Sequence, residues 1–513
     1  MKPLIPSRHL VRAGAVAGVV LFLWLMLRFW HPIYGFTAFL QLNSGQDAVK
    51  IAAFREYPVF VYDTPDSYDG LQYAQIAYHP LLEADELRPA VDNLAYRAQR
   101  ILLPALAWLL AAGQPAWIVH VYSVLNIVFW LALAALLWRM LPVNDARGLV
   151  AWAGILFSAE VLGSVRFALI DLPALILVAT ALWAAERARP RAAVGWLAAA
   201  ALTRETSLVA WPGLWTGSWK SPAALGRNLR RLLLAAAPLI AWLIYIRWRV
   251  GPLNQGVRNF AWPVIGFLEK WHECLTAVSR LTDHQLAWST VFATAGLTFQ
   301  AAFILARPRT ADPWWRVGAA YVLMMLCLGT AVWEGFPGAV TRVLLPLNLA
   351  CNLTVFSGLL ALRDVPTFPY ADAILVTRNW DAVGVVQLGD GWYDRERDAH
   401  DQWNWAESHG RLVITTWPRL PAIEARLTFR MRSLVPRTVR ALADGREIWR
   451  ATIGKQYRTV ELQVPAGKNG RMELDFVTDT LAVAEADRPD ARPLGFALYD
   501  PAISVSARAP PLP

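Results

Sequence analysis

Cysteine is scarce. The 513 residues contain three, Cys274, Cys327 and Cys351, at spacings that fit neither a disulfide framework nor a metal-ligand set. Charge is sparse too: Asp, Glu, Lys and Arg make up 17% of the chain, against 56% hydrophobic residues and 26 Trp. That balance excludes an ordinary soluble protein, and several runs approach the roughly 20 apolar residues needed to cross a bilayer. No small-residue cleavage site follows the basic start and the apolar run Val11 to Trp30, so this run reads as a retained first span and not a cleaved signal peptide. The net charge of +10 comes without a recognisable nucleic-acid-binding module. Its Arg and Lys residues fall between apolar runs, as cytoplasmic loops of a membrane protein require, so the expected partner is the lipid bilayer and not nucleic acid.

Lys2, Arg8 and Arg12 place the N-terminus in the cytoplasm, and residues 31–100 then form a long outer loop. Ile101 to Ala112 is too short for a full span and is interrupted by Gly113 and Pro115, so it reads as interfacial or re-entrant. Spans follow at Ala116–Met140, Leu149–Gly163 and Phe167–Ala185. Ala192 to Trp215 has basic residues on both sides: Arg187, Arg189 and Arg191 before, Lys220, Arg227, Arg230 and Arg231 after. Keeping both flanks inside requires two half-helices meeting at Thr203 to Thr206, a break tolerated at membrane depth only where it lines a protein or water cavity. Further spans are expected at Arg231–Arg247, Ala287–Ala306, Val317–Trp333 and Ala339–Leu362, with an amphipathic stretch at Val264–Leu281. The total is about ten membrane passes, broken helices included.

Beyond Arg363 the apolar residues alternate, as in Ala425–Met431, Thr459–Val464 and Arg471–Phe476, which is the period of half-buried strands. Asp444–Gly445, Pro465 to Gly467 and Asn469–Gly470 supply turns. The expected architecture is a polytopic α-helical membrane domain over residues 1–365 and an all-β sandwich over 366–513. Trp392, Trp403 and Trp405 are candidates for a sugar-stacking face; inter-sheet filling is the alternative. The ten-pass count leaves this sandwich cytoplasmic, whereas a sugar-binding role beside the outer loop needs it outside.

The polar run Tyr62 to Pro80 carries Asp63, Asp66 and Asp69 ahead of a helical pattern. If helical, Asp69 and Tyr73 share a face, and the helix dipole keeps an Asp in the first turn ionised. Asp69 is then either a proton acceptor or a plain helix cap. Arg204 and Glu205, at the break, are functional candidates by position; an ordinary ion pair at a helix end is the other reading.

The run Tyr68–Asp69–Gly70–Leu71–Gln72–Tyr73–Ala74–Gln75–Ile76–Ala77 resembles the aromatic–Asp signature of the GT-C superfamily of polytopic glycosyltransferases. In particular it is similar to the first outer loop of the glycosylphosphatidylinositol-pathway mannosyltransferases and their bacterial relatives. Tyr96 to Pro104, Asp171 to Pro173 and Leu202 to Thr206 also resemble elements of bacterial members. The resemblance spans roughly residues 10–350 and implies a GT-C-like fold in the inner membrane with its site on the outer, periplasmic face. It implies a hexosyltransferase, with mannose the first sugar to consider, taking sugar from a polyprenyl-phosphate donor to a glycan, lipid or protein acceptor. Asp69 matches the base that deprotonates the acceptor, with Asp63 and Asp66 as alternatives and Tyr68 and Tyr73 beside it. Arg97, Arg100, Arg204 and Arg342 would face the lipid phosphate, although interfacial arginines also snorkel. Asp171 and Glu205 would hold those arginines. Asp69 is followed by Gly70 and not by a second acid, which departs from the paired-acid pattern of some relatives and argues against strict two-carboxylate chemistry. No cofactor is implied, and a divalent metal stays open.

The rival class is a transporter or non-catalytic binding protein for lipid-linked sugar or polysaccharide. Transporters often carry paired broken helices in two repeated halves, and only one convincing broken segment is present here, which favours the enzyme.

Overall fold

A computed structural model describes residues 8–355 and 383–507, apart from 44, 48, 63–66, 142, 253–258, 281–283, 335–338, 399, 418–422, 466–468 and 485–491. The chain divides into two compact units: residues 1–27 with 69–373, and residues 28–68 with 374–513.

The first unit is helical. Among the described residues, four helices are long and apolar enough to cross a membrane: Arg8–Leu27, Pro115–Met140, Pro222–Arg249 and Trp288–Ala306. A bent pair, Ala146–Leu156 and Ala159–Arg166, makes a fifth if counted as one span. These helices mark a membrane protein. Helix starts follow the sequence closely. Pro opens the helices at 115, 190, 222 and 313, where its missing N–H costs nothing. Asp145 and Asp312 cap Gly148 and Trp314 through side-chain hydrogen bonds of 2.8 Å. The Arg8–Leu27 helix joins the bundle by stacking Phe22 on Trp130, with ring centroids 3.7 Å apart.

The segment flanked by arginines on both sides leaves and returns to one end of the bundle. It comprises the helix Pro190–Thr203, an extended residue at Arg204, and a 3₁₀ helix Glu205–Leu214. At its start, Glu186 accepts a hydrogen bond from Trp314 Nε1 (3.0 Å). At its finish, Arg316 donates to the carbonyls of Pro212 (2.8 Å), Gly213 (3.2 Å) and Trp215 (3.2 Å). Trp314 and Arg316 are two residues apart on one helix, so both flanks sit at the same level. Arg309 donates to Thr354 O (3.1 Å) at this same arginine-rich end. The break at Arg204 reaches the opposite end.

Several sequence-derived bounds shift. The span expected at Phe167 begins at Asp171, because Ala168 turns with a left-handed φ of 48°. The span expected at Arg231 begins at Pro222. Of the span expected over Ala339–Leu362, residues 339–355 form two helices, Ala339–Val343 and Leu345–Val355, and 356–362 lie outside the described residues.

The second unit is a β-sandwich of two five-stranded antiparallel sheets. One orders Arg458–Val464, Ile423–Ser433, Phe496–Ala507, Gln402–Ala406 and Glu396–Arg397. The other orders Val383–Leu388, His409–Trp417, Arg471–Thr478, Arg437–Ala443 and Arg446–Ile453. Leu427, Phe429 and Met431 point inward with Leu412, Leu474 and Phe476, while Arg426, Arg430 and Arg432 alternate outward, as period two requires. Asp444–Gly445 and Asn469–Gly470 both have positive φ at each residue, the geometry of a tight hairpin turn.

One boundary departs from expectation. Residues 31–68 were assigned to the membrane domain as outer loop, yet 28–68 belongs to the sandwich unit. Arg55 pairs with Asp390 at 2.9 Å, and Arg471 donates to Glu56 O. The sandwich therefore lies on the side of the bilayer where residues 28–68 lie. With the native cysteines replaced by serine, Glu56→Cys and Asp479→Cys should react with a membrane-impermeant thiol reagent from the same face of sealed vesicles. Labelling from opposite faces would refute the shared unit.

Candidate functional site

Polar residues from five distant stretches converge at the end of the bundle away from Arg309 and Arg316. The first stretch is the helix Asp69–Ile76, with Asp69 in its first turn. Gly70 permits its position: a Cβ there would lie 2.1 Å from the Phe167 carbonyl oxygen. Only glycine allows this backbone approach. The Phe167–Ile170 turn is itself pinned, since Tyr122 donates to Ala168 O (3.0 Å) and Asn126 to the carbonyls of Ser164 (2.9 Å) and Leu169 (2.7 Å). Leu172 N then donates to Ser164 Oγ (2.9 Å), opening the helix that carries Asp171.

Gln75 donates to Ala90 O (2.8 Å) and Gln72 accepts from Asp92 N (3.2 Å), tying the Asp69 helix to the second stretch. Asn93 caps Tyr96 N (2.9 Å) and starts the short turn that presents Arg97. Arg97 grips Asp92 through two bonds of 2.9 and 2.7 Å and reaches Asp69 at 2.9 Å. Arg100, 5% exposed, makes a two-pronged bond to Glu205 (3.1 and 2.8 Å) and donates to the hydroxyls of Tyr73 and Tyr96 (2.8 Å each). Arg204, at the helix break, pairs with Asp171. Arg342 stands between Asp69 (3.6 Å) and Asp171 (3.5 Å).

The site thus brings together Asp69, Tyr73, Arg97, Arg100, Asp171, Arg204, Glu205 and Arg342, all named above from sequence. Asp92 and Tyr96 join them. The signal for Asp92 was its place five residues before Arg97; Tyr96 stood in the quoted motif but not among the candidates. Tyr68 is half-buried and immediately precedes Asp69. Asp63 and Asp66 lie outside the described residues. The three tryptophans do not share one face. Trp405 is 4% exposed within a small cluster with Tyr499, and Trp403 stacks on Tyr499 at 5.3 Å. Trp392 instead packs against Phe496 in the main core, at 5.7 Å.

Four guanidinium groups face four carboxylates, so the cluster is close to neutral as it stands. Asp171 has a side chain only 1% exposed, whereas that of Asp69 is 32% exposed. Burial pushes the Asp69 carboxyl up, but the charges of Arg97, Arg342 and Arg100 outweigh it and hold its pKa below the ordinary carboxylate value. Asp69 is therefore an ionised, partly accessible carboxylate among arginines. Such a group can accept a proton or orient a hydroxyl, and the arginines can take an anion. Among the described residues, no group of three or more His, Cys, Asp or Glu is placed to hold a metal ion.

Gly70→Ala should displace the Asp69 helix and lower the melting temperature, because the added methyl meets backbone at 2.1 Å. Gly163→Ala, with open space around the added carbon, should leave the melting temperature unchanged or raise it, since alanine favours the helix by up to ~1 kcal/mol. Equal melting of both variants would show that the close approach is absent.

No family model matches this chain, and no curated protein matches it. Among solved structures it aligns with the cryo-EM structure of arabinosyltransferase EmbB from Mycobacterium smegmatis at 12% identity and a TM-score of 0.23, covering 99% of this chain. This chain spans 66% of the length of that protein. The functional reading rests on the site's own residues.

Proposed function

We propose that the chain is a membrane glycosyltransferase that moves a sugar from a polyprenyl-phosphate donor to an acceptor hydroxyl, with Asp69 as the base. The observation that carries this reading is the cluster of Arg97, Arg100, Arg204 and Arg342 beside the partly exposed Asp69, which Arg97 and Arg342 contact. A lipid-linked donor leaves a phosphate behind when the sugar transfers. Arginine meets phosphate with two parallel, charge-assisted bonds, and an unpaired anion in a partly dry pocket is costly.

In the reaction, the acceptor oxygen forms a bond to the anomeric carbon as the bond from that carbon to the phosphate oxygen breaks. The acceptor proton passes to Asp69, and the electron pair leaves with the lipid phosphate. The resting ion pairs temper this step usefully. While Arg97 and Arg342 hold Asp69, its carboxylate is a weak base. A donor phosphate that draws Arg342 toward itself releases Asp69 and strengthens it as an acceptor, so base strength rises only with donor in place. Arg100, locked by Glu205 and two tyrosines, keeps the floor of the site fixed. The acceptor would be met at the outer face of the inner membrane. Mannose is the first sugar to test and other hexoses the next.

Purified protein incubated with a panel of polyprenyl-phosphate sugars should consume at least one donor. Asp69→Asn should lower that turnover by roughly two to four orders of magnitude, the span for loss of a general base, with an unchanged melting temperature. The wild-type acid limb of kcat/KM assigned to Asp69 should lie below the ordinary carboxylate value, since its base form is favoured in the free enzyme. Arg204→Lys should weaken donor binding while membrane insertion stays normal. Near wild-type turnover in Asp69→Asn would sink the assignment.

A further inference from the structure

The sandwich unit holds a second cavity, formed wholly within that unit. Residues 31–62 pack against the edge strand Val383–Leu388 and the strand Gln402–Ala406, leaving a cleft of about 270 Å³. A smaller lobe of about 50 Å³ shares Asp47, Lys50, Leu388, Arg395 and Asn404 with it, so the two are one elongated groove.

One wall is aromatic. Tyr34 meets Phe60 edge-on, with ring centroids 5.5 Å apart, and both line the cleft. Trp392 and Tyr393 line the far lobe. The other wall is polar but charge-compensated. Lys50, with a side chain only 3% exposed, is paired to Asp47, Arg395 donates to Gln402 Oε1 (3.4 Å), and Asp500 is held by Arg430. Over both lobes Lys50, Arg55 and Arg395 stand against Asp47, Asp394 and Asp500, so the lining offers no net charge to attract a phosphate or a polyanion. Amides supply the remaining polarity: Gln387, Gln402 and Asn404 all line the space. Gln387 is 8% exposed, and its Oε1 has no hydrogen-bond partner although it borders the cleft. A buried acceptor left unpaired costs free energy, and a ligand hydroxyl would supply the missing donor. Burial, with the Asp47 charge, pushes the Tyr34 phenol up to about 12, so it remains a donor at any ordinary pH.

We infer that this groove binds a neutral oligosaccharide. The chemistry fits that class on three counts. Aromatic walls accept the C–H faces of sugar rings. Carboxylates and amides accept and donate to hydroxyls in the mixed pattern that sugars present. The compensated charge disfavours acidic ligands, and the groove is longer than a single lobe. The inference is independent of the transferase reading, since binding requires neither donor nor turnover.

The test uses the full chain in detergent on an array of neutral glycans (arabinan, mannan, galactan and glucan fragments) beside uronate-containing and sulfated ones. Wild type should bind at least one neutral class, and raised salt should not weaken it. Gln387→Leu keeps shape while removing the polar group and should weaken binding about tenfold, the equivalent of ~1.4 kcal/mol; Phe60→Ala should weaken it further. Melting temperatures of each variant identify any loss of fold, and Gln387→Leu, close in size, decides if Phe60→Ala unfolds. Binding confined to acidic glycans, no glycan binding by wild type, or full binding by Gln387→Leu would each overturn the inference. So would loss of binding in Trp403→Ala while Gln387→Leu binds normally, because Trp403 stacks on Tyr499 away from the cleft.

Discussion

A charge buried in an apolar bundle must be paired, and that requirement organises the helical unit. Taking one partner out of a buried ion pair costs about 3–5 kcal/mol, comparable to a substantial share of a domain's net stability. Here the pairs are not local. Asp69 meets Arg342, Asp171 meets Arg204, and Glu205 meets Arg100, so the pairs join segments between 33 and 273 residues apart in sequence. The pairs thereby hold the break at Arg204 against the Asp69 and Asp171 helices. Gly70 completes the arrangement by letting two backbones touch where any side chain would part them.

The same pairing sets the chemistry available. Equal numbers of guanidinium and carboxylate groups make the resting cluster stable without a ligand and keep Asp69 ionised. Adding a phosphate changes the count by at least one negative charge, so the guanidinium groups must be shared anew. Asp69 is the carboxylate most affected, because it is held by Arg97 and by the more distant contact to Arg342. Asp171, closed off beside Arg204, is a fixed anchor by comparison.

The sandwich unit follows a different logic. Its core comes from period-two alternation, yet its cleft exists only because residues 31–62 fold back onto it. The strand pair Leu42–Asn43 with Val61–Tyr62 shapes that segment, and the Asp47–Lys50 pair is placed at the cleft. A connecting loop by sequence thus becomes one wall of a groove.

What the sequence determined by itself was local. Apolar length and basic flanks marked the long helices; alternation and Asp–Gly or Asn–Gly turns marked the strands. Basic flanks on both sides of Ala192–Trp215 located the broken segment, because charge placement about a membrane is readable residue by residue. The polar run before a helical pattern pointed to Asp69 and the break in an apolar segment pointed to Arg204 and Glu205, while Asp171 and Arg342 came from the resemblance. Tertiary structure decided the rest. Which arginine holds which carboxylate, why Gly70 is required, and the membership of 28–68 in the sandwich unit all depend on contacts between distant segments. The tryptophans show the limit most clearly: Trp403 and Trp405 alternate with core-facing residues on one strand, while Trp392 lies beyond it on the core side. Period alone cannot rank such rings as surface or filling, since their exposure is set by what packs over each sheet face.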